Sequence, residues 1–244
     1  MSLRYPFSEH TNKINFHNLS LNPKAVSFLE KHMDKVSWSA LSVNPSAIHI
    51  LEQNLDEINW AMLCSENINA MPILEQHLDK INWQLLSRNP GAVPLLERNL
   101  DKVDWRLFSA NPEAIHILER NLDKVDWIYL SGNPSAVHIL EQNLDKVDWQ
   151  RLALNKNAMH LIEPNMELIY DLDNLAKNEN AIHIFEDMLI KEPLLVGLRR
   201  DIWTVLSTNP NAFHMLEQNL DKVNWVNIWC NPAIFEEEPD YLLK

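Results

Sequence analysis

The sequence predicts an all-α fold, an α-solenoid of about ten two-helix repeats of 22–23 residues, and three observations predict it. A tryptophan recurs in step: Trp38, Trp60, Trp83, Trp105, Trp127 and Trp149 follow one another at 22 or 23 residues, and Trp203 and Trp225 resume the spacing. An asparagine keeps the same period through Asn22, Asn44, Asn67, Asn89, Asn111, Asn133, Asn155, Asn178, Asn209 and Asn231. Between these markers the apolar residues fall at helical spacings. A period of this length marks a repeat architecture, in which each unit buries its apolar face only against its neighbours.

Helix A is placed at the tryptophan, because Ser37, Asn59, Asn82, Asp104, Asp126, Asp148 and Asn224 stand just before it and can accept from the free amides of a helix start. Three residues on come Leu41, Leu63, Leu86, Phe108, Leu130, Leu152, Leu206 and Ile228, on the same helical face as the tryptophan. Trp and Leu together are expected in the core, so the eight tryptophans count as framework with Asn44, Asn89, Asn111, Asn133 and Asn209. The recurring Asn-Pro is expected to open helix B, with Asn as N-cap and Pro at the first helical position. Pro72 and Pro94 fall later in helix B and predict a delayed or kinked helix in repeats three and four.

The chain has only three glycines, so Asn54, Asn99, Asn121, Asn143 and Asn219 are read as left-handed caps that stop helix B. Leu-Asp-Lys-Val then leads back to helix A. An alanine never enlarged from Ala25 through Ala212 marks a close helix contact. The spacing of 31 residues between Asn178 and Asn209 reveals an insertion. The organisation expected is an N-terminal cap at 1–19, regular repeats at 20–186, the insertion at 187–202, and final repeats with an acidic C-terminal cap at 203–244.

The formal charge of −13 disfavours nucleic acid and anionic membranes as partners. Two cysteines, Cys64 and Cys230, suit a reducing compartment. No run of apolar residues reaches signal-peptide or membrane-spanning form, so neither secretion nor membrane insertion is expected.

The unit W-x-x-L-S-x-N-P-x-A-I-H-I-L-E-x-N-x-D-K-V-D-W resembles the short tandem repeats of giant DNA viruses that infect algae and amoebae. The resemblance covers roughly residues 20 to 235. It implies a viral protein with a helical-repeat fold, in the host cytoplasm or the virion, and it carries over no catalytic residue. Repeats seven and eight depart from the pattern: Lys156 and Glu179 replace the proline, and Tyr170-Asp171 stands where Asp-Trp belongs.

Chemistry is then weighed residue by residue. The histidines His49, His116, His138, His160, His183 and His214 form a ladder one layer apart, too far to share a zinc ion, so no metal and no cofactor is expected. The glutamate ladder from Glu30 to Glu217 offers equivalent environments, unlike a catalytic pair, and is expected to bond linker amides or Lys102, Lys124 and Lys146. With no nucleophile or phosphate-binding motif, no catalytic residue is assigned and a non-enzyme is expected. The positions after each tryptophan vary most, which makes Met62, Leu85, Arg106, Ile128, Tyr129, Gln150 and Arg151 candidate partner-binding residues. Arg199 and Arg200 in the insertion join them, beside an apolar cluster. The function expected is a scaffold that binds a host or viral protein along an extended surface; the alternative is a structural component of the virion.

Overall fold

The computed structural model describes residues 14–191 and 200–234. All elements among them are helical and none is a strand. The chain divides into two compact units, one ending at Asp126 and the other beginning at Trp127. The first contains repeats one to five and the second repeats six to ten.

Each repeat opens with an A helix, as in Trp38–Val43, Trp60–Glu66, Trp83–Leu86 and Trp105–Ser109, and in the second unit Trp127–Ser131 and Trp149–Leu152. Helices this short do not persist alone in water, so packing rather than propensity holds them. The expected caps form at four starts: Asn59, Asn82, Asp104 and Asp148 accept from the N–H groups of Met62, Leu85, Leu107 and Arg151. Ser37 does not cap its helix; its hydroxyl pairs with His17 Nδ1 at 3.0 Å.

Three repeats differ from expectation. Phe16–Leu21 is a complete A helix capped by Asn15, with Phe16 in the tryptophan place, so the first repeat crosses the expected boundary at residue 20. In repeat eight Asp171 itself is the cap and Leu172 begins the helix, one residue later than the aligned Tyr170-Asp171 suggested. Repeat ten lacks an A helix: Trp225 lies in a turn ahead of the short 3₁₀ segment Ile228–Cys230.

Asn-Pro opens a single 3₁₀ turn, not the α-helix. Pro23–Ala25, Pro90–Ala92, Pro112–Ala114 and Pro210–Ala212 show it, each with the preceding Asn Oδ1 bonded to the N–H two residues on. The α-helical part of B begins directly after the alanine in repeats one to nine, for example at Ile48, Met71, Val93 and Val137. Pro72 and Pro94 are therefore second residues of their helices, in the first turn, where no intrahelical N–H bond is lost. The expected delay confined to repeats three and four is corrected: the late α start is common to repeats one to nine.

The stop is also made differently. Asn54 and Asn143 have φ of −138° and −140°, so neither is left-handed. Instead the side-chain amide turns back and donates to the carbonyl four residues earlier, at Asn54, Asn99, Asn121, Asn143 and Asn219 alike. An orphan carbonyl at the helix end is thereby paired. His32 does the same with Nδ1 on the Phe28 carbonyl, 2.9 Å away.

Leu41, Leu63, Leu86, Phe108, Leu130, Leu152 and Leu206 are fully buried, as are Leu51, Leu74, Leu96, Leu118 and Leu140 of the B helices, and the alanine slot is buried throughout. The tryptophans are not core as expected. Trp38, Trp60, Trp83, Trp105, Trp127 and Trp149 are half-buried, Trp225 is 59% exposed, and only Trp203 is buried at 2%. These rings lie along the rim, at the first position of their helices. Trp203 differs because its helix, Arg200–Leu206, begins three residues earlier.

What joins one layer to the next is the ladder asparagine, buried in all repeats but the first. Its amide donates to carbonyls of the repeat before. In the first unit Asn44 reaches Ser20, Asn67 reaches Ser42 and Asn44, Asn89 reaches Cys64 and Asn67, and Asn111 reaches Ser87 and Asn89. In the second, Asn155 reaches Ser131 and Asn133, Asn178 reaches Ala153, Asn209 reaches Ala176 and Asn178, and Asn231 reaches Ser207 and Asn209. A serine adds a second joint. Ser20, Ser42, Ser87, Ser109, Ser131 and Ser207 donate to the carbonyl four residues back. Each hydroxyl also accepts the N–H of the next repeat's cap residue, from Ser37 through Asn224.

Two stability outcomes follow from this packing. Asn89→Ala strips the Gly91 N–H and two buried carbonyls of their partner and should cost about 2–4 kcal/mol in denaturant unfolding, against about 1 kcal/mol for Asn22→Ala, which loses only a cap. Gly91 is the second: a Cβ there would stand 1.9 Å from the Ile68 carbonyl oxygen, whereas at Gly132 the nearest atom is 3.7 Å away. Gly91→Ala should destabilise by about 1–3 kcal/mol. Gly132→Ala should change the melting temperature little.

Candidate functional site

Successive A helices pack side by side within each unit, which brings the positions after the tryptophans into one strip per unit. In the first unit Met62 and Leu85 occupy equivalent places on neighbouring helices; Met62 is 42% exposed and Leu85 is half-buried. Arg106 is exposed at the adjoining position of the next helix. In the second unit Ile128 is 49% exposed and Tyr129 half-buried, with the Arg151 guanidinium 5.8 Å from the Tyr129 ring centre.

Gln150 belongs to the framework. Its Nε2 donates to the Leu168 carbonyl and its Oε1 accepts the Asp171 N–H, both at 2.9 Å. Residue 153 is alanine where most repeats carry the ladder serine, so no hydroxyl is present for the next cap residue and Gln150 serves that N–H instead. The insertion falls mostly on residues 192–199, so Arg199, with Leu194, Leu195 and Val196, lies outside the described residues; of Arg200 only its place at the start of the helix Arg200–Leu206 is described.

The rim tryptophans are roofed by linker lysines. Lys102, Lys124 and Lys146 stand 4.5, 5.0 and 4.7 Å over the rings of Trp83, Trp105 and Trp127, and Lys35 stands 5.6 Å over Phe16. A cation over an aromatic face is attracted by the ring quadrupole, and the lysine stem covers apolar surface. The expectation that these lysines pair with the glutamate ladder is thereby corrected. The glutamates meet the histidines of the following repeat: Glu30 with His49 at 2.9 Å, Glu97 with His116 at 3.7 Å, Glu141 with His160 at 2.6 Å, Glu163 with His183 at 3.0 Å, and Glu186 with His214. Where Pro94 replaces the histidine, Arg98 reaches Glu75 in its stead.

Comparison with protein-family models, with curated proteins and with solved structures finds no match. Among the described residues no three His, Cys, Asp or Glu side chains are grouped to hold a metal ion, and no helix is long and apolar enough to cross a membrane. Concave space is modest: a cleft of about 430 Å³ in the second unit is lined by Glu163, Met166, His183, Asp187, Met188 and Lys191, around two ion pairs already formed.

Sequence reasoning missed the lysine roof, although its signal is present as a constant offset of 19 residues from aromatic to lysine. It also missed that Cys64 fills a ladder-serine place. The Asn82 N–H bonds to its sulfur, and burial, the larger effect, pushes the thiol up from its ordinary value. A buried, protonated thiol reacts slowly. Ellman titration of the native protein should therefore report Cys230, which is exposed, and not Cys64. Denaturant should release the second thiol; two fast native thiols would contradict the packing of repeat three.

Proposed function

We propose that the chain is a non-enzymatic scaffold that binds another protein across successive A helices. The observation that carries this reading is the exposure of Met62 and Ile128 at variable positions, on a framework whose own polar groups are paired from layer to layer. Apolar side chains exposed beside successive A helices, Met62 in the first unit and Ile128 in the second, suit recognition of a protein surface by each unit. The ion pairs recur once per repeat in similar surroundings, which supports a structural role for them over acid–base chemistry. The net charge of −13 favours a protein partner over nucleic acid. The resemblance of the repeat to those of giant DNA viruses points to infected host cells, in the cytoplasm or the virion, as the place to find that partner.

The test is affinity capture from infected cells with the wild-type chain and with the double variant Met62→Glu/Ile128→Glu. Both positions are exposed, so the variant should melt within a few degrees of wild type. A specific protein retained by wild type and reduced at least roughly tenfold by the variant is the expected result, as for loss of apolar anchors. Identical captured sets would defeat the reading.

A further inference from the structure

Among the described residues, the first and last repeats each carry half of the inter-repeat joint without its counterpart. At the first repeat the Asn22 side chain is exposed; its Oδ1 accepts the Lys24 N–H, and its amide has no acceptor among the described residues. At the last repeat the Asn231 carbonyl accepts, among the described residues, the Ile234 N–H alone, whereas the Asn209 carbonyl accepts both the Ala212 N–H and the Asn231 amide. The first repeat thus shows the donor and the last the acceptor of the bond that recurs between layers within each unit. Such ends invite head-to-tail addition of a second copy, a heterologous contact that does not close on itself and so propagates.

One residue stands against that addition. The place two residues before the ladder asparagine, or three in repeat three, holds a small residue in the first nine repeats, Ser20, Ser42, Cys64, Ser87, Ser109, Ser131, Ala153, Ala176 and Ser207, and every one is fully buried. The next repeat's cap residue lies directly on it, with its N–H on the serine hydroxyl. In repeat ten that place is Trp229, 68% exposed. An indole cannot fit where a hydroxymethyl group is in contact with the next layer's backbone.

We propose that Trp229 is a stop residue, a side chain that keeps a second copy of this chain from stacking on the last repeat. The open acceptor end is left available to the Asn22 amide of another molecule by position and closed to it by bulk.

The outcome runs against the ordinary effect of an exposed tryptophan, whose removal normally lowers self-association. Sedimentation equilibrium or light scattering on the full chain should show the 28.5 kDa species for wild type over a wide concentration range. Trp229→Ser should show a weight-average mass that climbs with concentration to roughly twice that value or beyond, as open-ended stacking requires. Adding Asn22→Asp, which retains the cap oxygen and removes the donor, should return the mass to that of one chain. A Trp229→Ser chain that stays monomeric, a wild type that already associates, or association indifferent to Asn22→Asp would each overturn the proposal.

Discussion

A buried asparagine side chain is the joint on which every layer depends. The end of a short A helix leaves backbone carbonyls without intrahelical partners, and these lie where the next repeat must pack. Burying them unpaired would cost roughly 1–3 kcal/mol each. The ladder asparagine meets that requirement with one planar group: its oxygen accepts from its own Pro-x-Ala turn while its amide reaches back to the preceding repeat, as Asn89 does with Gly91 on one side and Cys64 and Asn67 on the other. Aspartate could make the first contact but not the second. Serine is too short to span both.

From this joint the rest of a repeat follows. The amide must come within hydrogen-bond reach of the neighbouring backbone, so the layers approach closely and the residue after the Pro-x turn stays alanine. At Gly91 the approach is closer still, onto the Ile68 carbonyl. Close layers let helices of one turn or little more survive, because each is held by its neighbours rather than by its own length. They also bring the linker lysine over the preceding tryptophan, and the histidine beside the preceding glutamate. With the framework's polar groups paired in this way, some positions after the tryptophans are left without structural duty, and it is there that Met62 and Ile128 stand in water, while Gln150 is kept for the framework.

Period and register were legible in the sequence because they are one-dimensional properties: the tryptophans, asparagines and alanines mark the layers without any knowledge of their packing. The cap function of asparagine was legible too, since it acts within three residues of chain. Its donor half was not, because the acceptors lie 22 to 25 residues away along the chain in a regular repeat and nothing local announces them. The tryptophans misled for a related reason: size and recurrence suggest core, yet the rings that open these A helices lie half-buried beneath the following linker, at Trp83, Trp105 and Trp127 under its lysine. Phe16 escaped notice because it is not tryptophan, although Asn15, Ser20 and Lys35 surround it as their counterparts surround Trp83. Of the candidate strip, Met62 and Ile128 stand exposed, while Gln150 is a framework replacement visible only once Ala153 is seen in the serine place.

The side-chain amides themselves provide the most direct test. Amide-proton exchange followed by NMR separates the asparagine NH₂ groups of a single protein. The ladder predicts that those of Asn67, Asn89, Asn111, Asn155 and Asn231 exchange at least roughly a hundredfold more slowly than that of Asn22, since theirs must await opening of a layer. Exchange of all these amides at the rate of Asn22 would mean that the asparagines are caps alone, and that something else holds the layers together.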